Sequence, residues 1–109
     1  MSEFRSYRDL EVWQLGVELA SVCYTLTRAF PKDELFGLTS QIRRAATSIP
    51  ANIAEGHGRE STGDFVRFLQ IAQGSLKELE THLIVCVRVG VSNEPATLDA
   101  MKRADQLGR

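Results

Sequence analysis

The strongest constraint on the fold is the stretch of residues 41–56, where small and apolar side chains recur on both sides of a proline. Apolar residues step by threes and fours from Ile42 to Ile53, which is the spacing of one face of an α-helix. Pro50 lies inside this pattern, and it has no N–H while its ring crowds the preceding turn. We therefore expect the helix to kink at Pro50 or to restart there with Ser48 as a local cap.

A polar stripe runs along a second face of the same helix. Its members follow one another by three or four residues: Gln41, Arg44, Ser48, Asn52 and Glu55. Small neighbouring residues allow another helix to approach closely, and polar groups buried in such a place need hydrogen-bond partners. We predict that the stripe is mostly structural. Asn52 and Glu55 should form hydrogen bonds near the following turn, where Arg59 meets Glu55.

Start and stop signals divide the chain into four helices, which we predict over residues 8–30, 34–56, 61–89 and 94–107. Ser6 begins a capping-box pattern before the first helix, and Ser61 begins another before the third. Pro31 stops the first helix, and Asn93 followed by Glu94 and Pro95 opens the fourth.

Four glycines also bear on where the helices end and how they pack. Gly56 and Gly58 are expected to end the second helix, because glycine tolerates positive φ. Gly90 is expected to end the third helix. Gly74 lowers helix propensity, and we interpret it as a mark of close contact with another helix.

The third helix carries an unbroken heptad seam: Phe65, Leu69, Ala72, Leu76, Leu79, Leu83 and Cys86. Such a seam favours shallow helix crossings, and the short connections make consecutive helices antiparallel. No strand alternation or internal repeat is present. The predicted fold is one all-α domain over residues 1–109, an antiparallel up-down four-helix bundle with a short fourth helix.

The first helix is apolar over roughly 240° of its circumference when residues are placed at 100° intervals. A helix on the surface of a monomeric bundle needs an apolar stripe of only about 100° or somewhat more. The extra arc predicts burial in a subunit interface. The alternative is that this helix is central in the bundle.

Composition sets further limits. The chain has 109 residues, with 13 Lys and Arg against 14 Asp and Glu, so its formal charge of −1 does not support general affinity for nucleic acid. Cys23 and Cys86 lie in apolar helical patterns, and we interpret them as reduced core thiols of a cytoplasmic protein. The start of the chain lacks an apolar run of signal-peptide length, and no segment approaches a membrane span.

The sequence contains no arrangement of residues typical of a catalytic or metal-binding site. His57 and His82 fall on different elements, and Glu78 precedes His82 by four residues rather than the three of a di-iron motif. Gly58 and Gly63 have the spacing of a phosphate-binding loop, but the following residues lack its lysine and hydroxyl. We predict no enzymatic activity, no catalytic residues, no cofactor and no metal site.

Arginines are grouped on or beside the second helix: Arg43, Arg44, Arg59 and Arg67. Arginines on a rigid helix can bind phosphates, so these four are the candidate nucleic-acid-binding residues. The alternative is a solvated or ion-paired face. No aromatic residue alternates with these arginines, which gives little support to base stacking.

The chain resembles the bacterial four-helix-bundle family of 23S rRNA intervening-sequence proteins. The resemblance covers roughly residues 7–90 and is carried by residues 7–13, 38–46, 48–56, 65–69 and 72–81, together with Arg59. It implies an up-down bundle that assembles as a homopentamer and has no enzymatic activity. The family also resembles the accessory subunit of diversity-generating retroelements, a pentamer that binds reverse transcriptase and nucleic acid. This chain departs from the pattern in its fourth helix, which ends early.

Two function hypotheses follow. The first is a non-enzymatic oligomeric scaffold or adaptor that binds itself and a protein partner. The second is an accessory protein that binds RNA or DNA through arginines brought together by assembly. Neither hypothesis involves a membrane.

Overall fold

The structure is a computed structural model that describes residues 6–109. It contains four α-helices: α1 (Glu11–Thr27), α2 (Leu38–His57), α3 (Thr62–Arg88) and α4 (Glu94–Leu107). Two short 3₁₀ helices, Tyr7–Asp9 and Lys32–Glu34, precede α1 and α2, and residues 6–109 contain no strand. The expected lack of a leader at the start of the chain concerns residues 1–5, which lie outside the described residues.

The helices form a ring in chain order. α1 packs against α2 and α4, and α3 packs against the same two helices. No Cα atoms of the diagonal pair α1 and α3 come within 8 Å of each other. The bundle measures 50 × 22 × 19 Å. The prediction of an all-α up-down four-helix bundle is confirmed, and α4, the shortest of the four helices, ends at Leu107 as predicted.

The first two helices are shorter than predicted. The hydroxyl of Ser6 caps the 3₁₀ helix rather than α1, accepting a hydrogen bond from the Arg8 N–H at 3.2 Å. Leu10 is extended, with ψ 125°, so α1 begins at Glu11. The predicted start of the second helix at residue 34 is also wrong. Glu34 closes a 3₁₀ turn, and its Oε1 accepts a hydrogen bond from the Leu38 N–H at 3.1 Å, at the true start of α2.

α2 continues through Pro50, so the predicted restart at Ser48 is wrong. Pro50 is buried against Gly16 of α1, where an added Cβ would lie 3.3 Å from the proline Cβ. A glycine at this point leaves room for the proline ring, so α1 and α2 pack closely without a break in α2.

The signals of the last two helices are confirmed. The Ser61 hydroxyl accepts from the Asp64 N–H at 3.0 Å, and the Asn93 carbonyl Oδ1 accepts from the Ala96 N–H at 2.8 Å. α3 ends at Arg88, and Gly90 follows with φ +82°. This left-handed conformation is the reason for a glycine after the helix.

The predictions about the other glycines are partly wrong. Gly58 directly follows α2, as predicted, but its φ is −79°, and Gly56 lies inside the helix, so neither uses positive φ. An added Cβ at Gly56 would lie 2.7 Å from the Cβ of Phe68, so this glycine allows α2 and α3 to approach closely. Gly74 was expected to make such a contact, but nothing in the described chain lies within 4 Å of its added Cβ.

The core lies between all four helices. Most of the predicted α3 seam is buried, and the largest fully buried side chains are Leu19, Ile42, Ile49, Ile53, Leu76, Leu79, Leu83, Cys23 and Cys86. Small residues of α4, such as Ala100 and Ala104, pack against the core and cover it between α1 and α3. The heptad pattern therefore marks the inner face of α3.

Candidate interaction surfaces

The middle of the polar stripe joins α2 to α3. The hydroxyls of Ser48 and Ser75 share a hydrogen bond of 2.8 Å. The Asn52 amide donates to the Ser48 carbonyl at 2.8 Å and to its hydroxyl at 2.9 Å. All three side chains are partly buried. The Ser48–Ser75 bond links the two helices, and the Asn52 amide holds the Ser48 hydroxyl in place from within α2.

The ends of the stripe are exposed. Gln41 and Arg44 face solvent and line an open groove of about 430 Å³, together with Ala45, Ser48 and Glu78. Glu55 pairs with Arg59 at 3.5 Å, and both side chains are largely exposed. Exposed ion pairs of this kind contribute about 0–1 kcal/mol, so this pair adds little to stability.

The four candidate nucleic-acid-binding arginines do not form one patch in a single subunit. Arg43 points toward α1, where its Nε donates to the Thr27 hydroxyl at 2.8 Å and its guanidinium lies 4.5 Å from the centre of the Tyr24 ring. Arg44 is the next residue on α2 and therefore points about 100° away. Arg59 is sixteen positions after Arg43, which corresponds to a rise of about 24 Å along a helix.

Arg59 and Arg67 do come together. Their guanidiniums lie 5.0 and 5.1 Å from the centre of the Phe68 ring. The expectation that no aromatic residue accompanies the arginines therefore fails here, as it does for Arg43 on the Tyr24 ring. Phe68 follows Arg67 directly in the sequence, and the heptad pattern obscured it because it lies beside the seam rather than in it.

The thiols of Cys23 and Cys86 are unreactive. Burial raises the pKa of Cys23 to about 12, and electrostatic repulsion from Cys86 acts in the same direction. Burial also raises the pKa of Cys86. Both groups are therefore protonated near neutral pH, and a thiol is a poor nucleophile compared with a thiolate. No Cα atoms of α1 and α3 come within 8 Å, whereas a disulfide needs about 4.4–6.8 Å.

The histidines are separated. His57 meets the Phe65 ring edge-on at 6.2 Å, and His82 lies 3.4 Å from the Glu78 carboxylate. The part of the chain that the structure describes contains no group of three or more His, Cys, Asp or Glu side chains that could hold a metal ion. Among those residues, no helix is long and apolar enough to cross a membrane.

An open apolar groove runs between α1 and α2, which we call the α1–α2 groove. Its volume is about 570 Å³, and its lining consists of Val17, Ala20, Ser21, Tyr24, Thr25, Arg28, Thr47 and Pro50. Val17 is 38% exposed and Tyr24 is 37% exposed. They are the exposed large apolar residues of α1, so contacts with α2 and α4 cover the rest of its wide apolar arc.

A second apolar surface lies between α3 and α4, which we call the α3–α4 face. It encloses about 360 Å³ and is formed by Leu83, Ile84, Val87, Arg88, Glu94, Thr97, Leu98 and Met101. Ile84 is 47% exposed and Leu98 is 52% exposed. This surface could not be predicted from the sequence, because both residues flank the buried seams and the helical pattern does not reveal which neighbour covers them.

These features define the class of the protein: an all-α up-down four-helix bundle with a polar link between α2 and α3 and an apolar surface on each of two sides. Residues 8–109 match the family model described as 23S rRNA-intervening sequence protein, and the chain belongs to this family.

One solved structure with high similarity is that of a protein with unknown function from the S23 ribosomal protein family, from Bacteroides thetaiotaomicron. The two sequences are 26% identical, the TM-score is 0.82, and the alignment covers 89% of this chain and 91% of that chain. No curated protein matches the chain. The resemblance seen in the sequence is therefore confirmed at the level of the family and the fold.

Proposed function

We propose that this protein is a non-enzymatic helical bundle that assembles with copies of itself and acts as a scaffold or adaptor. The observation that carries the proposal is the pair of apolar surfaces on different sides of the bundle. Exposed apolar residues scattered singly are normal in a monomer, whereas grouped ones mark interaction sites. Val17 with Tyr24, and Ile84 with Leu98, are two such groups.

The polar chemistry supports a scaffold rather than an enzyme. The thiols are protonated, the histidines are far apart in the fold, and the Ser48 and Ser75 hydroxyls are used in a hydrogen bond between helices. Enzyme sites combine a nucleophile or an acid–base pair with a pocket that holds both. No pocket described above combines these groups.

Light scattering in physiological salt tests the assembly. One chain has a mass of 12.1 kDa, and the proposal predicts a particle several times heavier. A monomer at micromolar concentration would contradict it. A dimer or a tetramer would keep self-assembly and exclude the pentamer implied by the family resemblance.

Nucleic-acid binding is the second candidate function. The observation that favours it is the placement of Arg59 and Arg67 on the same aromatic ring near the turn between α2 and α3. Assembly would repeat this pair around the particle, so a chain of formal charge −1 could carry a local positive surface. Binding of this kind should weaken steeply with salt, because phosphate contacts release counterions.

A salt titration with structured RNA and duplex DNA tests this candidate. Arg59→Ala combined with Arg67→Ala should reduce affinity for both, because these two arginines lie together on the Phe68 ring. Lys32→Ala combined with Lys102→Ala removes the same charge elsewhere and is the control. Absence of binding at about 50 mM salt by a verified oligomer would exclude the candidate, since phosphate contacts are strongest at low salt.

A further inference from the structure

We infer that residues 1–5 of the chain pack into an apolar groove at the end of the bundle where α4 stops, with the Phe4 ring as their anchor. We call this surface the α4-end groove. Residues 1–5 lie outside the described residues, whereas the groove lies within them. The contact is made within one chain, so it goes beyond the proposed function and does not depend on self-assembly.

The groove exists because α4 is much shorter than α3. α4 runs antiparallel to α3 and ends at Leu107. An added Cβ at the next residue, Gly108, would lie 3.4 Å from the side chain of Leu76, in the middle of α3. Residues 62–75 of α3 therefore extend beyond the end of α4, over a rise of about 20 Å. Along this stretch, α4 does not cover the core between α1 and α3.

The lining of the α4-end groove is mostly apolar. The groove has a volume of about 250 Å³, and its apolar lining includes Val12, Ile49, Ile53, Leu69, Ala72 and Leu76. Ile49 and Ile53 belong to the buried core, so the groove reaches into the core itself. Arg109 lies at the groove and donates a hydrogen bond to the Asp105 carboxylate at 2.7 Å. An apolar side chain that excludes water from this groove is therefore favoured.

The start of the described chain lies at the same end of the bundle. α1 begins there, and Val12 in its first turn lines the groove. The 3₁₀ helix Tyr7–Asp9 packs against α1 and α2, and the Tyr7 ring meets the Trp13 ring edge-on at 5.2 Å. Five further residues span up to about 17 Å. The bundle is only 22 × 19 Å across, so residues 1–5 can reach the groove from this position.

Phe4 is the residue of this segment that suits the groove. It is the only aromatic residue among residues 1–5, and it stands between Glu3 and Arg5. Successive side chains of an extended chain point to opposite sides, so the ring can enter the groove while both charges stay in water. The most exposed aromatic residue of the described chain, Phe36, lies at the other end of the bundle and cannot fill the groove of its own chain.

Disulfide cross-linking tests the placement. Glu3→Cys combined with Gln73→Cys keeps Phe4 and places one thiol on the segment and the other on the exposed rim of the groove. In oxidised glutathione, this pair should form an intrachain disulfide at least about tenfold faster than Glu3→Cys with Ile71→Cys, because docking raises the local concentration of the first thiol. Ile71 is the matched control, since it is 43% exposed on the same helix and does not line the groove.

Adding Phe4→Ala to the Glu3→Cys and Gln73→Cys pair should lower the rate to that of the Ile71 control, because the anchor is lost. Equal rates at positions 73 and 71 would overturn the inference. Disulfides between chains would do the same, because they would show that the groove binds a second copy. The natural thiols do not compete, since Cys23 and Cys86 are fully buried.

Thermal unfolding gives an independent measurement. Phe4→Ala alone should lower the unfolding midpoint by about 5 °C with the particle mass unchanged. Phe36→Ala removes the same ring from a side chain that is 92% exposed, and it should leave the midpoint unchanged. Helical circular dichroism before heating shows that each variant folds. An unchanged midpoint in Phe4→Ala would overturn the inference, whereas a monomeric wild-type protein would overturn only the proposed self-assembly.

Discussion

α2 packs against its two neighbours in different ways. Toward α1, the ring of Pro50 lies on Gly16, and an open apolar groove remains beside the contact. Toward α3, the Ser48 and Ser75 hydroxyls bond to each other, and the groove beside them is lined by polar residues. Water can satisfy the polar groove but not the apolar one. The α3 side of α2 is therefore satisfied within one chain, whereas the α1 side leaves an open apolar groove.

Glycine has a different role on each side. An added Cβ at Gly56 would lie 2.7 Å from the Cβ of Phe68, an atom fixed next to the α3 backbone. An added Cβ at Gly16 would lie 3.3 Å from the Pro50 ring, which is a tight but less severe contact. The α2–α3 contact should therefore tolerate less change than the α1–α2 contact, and substitutions on the two sides of α2 measure this difference.

The largest effect is expected from Gly56→Ala. Overpacking a close helix contact destabilises by about 1–3 kcal/mol, and the gain in helix propensity is small so near the end of α2. Urea unfolding monitored by circular dichroism measures the free energy of unfolding. No loss of stability would mean that α2 and α3 separate without strain, and the contrast between the two sides would disappear.

Asn52→Ala should follow with a loss of about 1 kcal/mol, the usual net contribution of a protein hydrogen bond. The lost amide donates to both the carbonyl and the hydroxyl of Ser48, beside the bond to Ser75. Thr47→Ala is a suitable control, because the Thr47 hydroxyl also bonds back along α2 but is exposed and does not contact the hydroxyl that links α2 to α3. Equal losses in both variants would argue against a structural role for the polar stripe.

The sequence was sufficient to predict the helices, but it did not show which residues of other helices pack against each one. The period of the apolar residues identified the inner face of α3, and Ser61, Gly90 and Asn93 marked helix ends correctly because capping depends on local chemistry. The restart expected at Ser48 is wrong, and the glycine that leaves room for the Pro50 ring lies on another helix, thirty-four positions earlier.

The contacts of the arginines and of the apolar arc of α1 could not be predicted from the sequence for the same reason. Arg43 and Arg44 are adjacent in the sequence, yet one contacts Thr27 and the other faces solvent. The width of the apolar arc of α1 predicted an interface, but α4 covers a part of the arc that the sequence could not assign. Spacing along a helix shows which residues share a face and does not show what covers that face.

Gly74→Ala should stabilise the protein by about 0.5–1 kcal/mol, the usual difference between the two residues inside a helix. Gly74 is exposed in the middle of α3, and an added Cβ would meet nothing within 4 Å in the described chain. Thermal unfolding should show a higher midpoint with the oligomer unchanged. A loss of stability would mean that the added methyl group meets a neighbour outside the described chain.

Gly16→Ala should have the smallest effect, within about 0.5 kcal/mol of wild type, because two terms oppose each other. Alanine in the middle of α1 gains about 1 kcal/mol of helix propensity. The contact of 3.3 Å with the Pro50 ring removes a similar amount unless α1 shifts by a few tenths of an ångström. Such a shift is available on this side because the groove beside Pro50 is open. Urea unfolding of this variant next to Gly56→Ala gives the comparison directly. A loss as large as that of Gly56→Ala would show that the α1–α2 contact is as rigid as the α2–α3 contact, even with an open groove beside it.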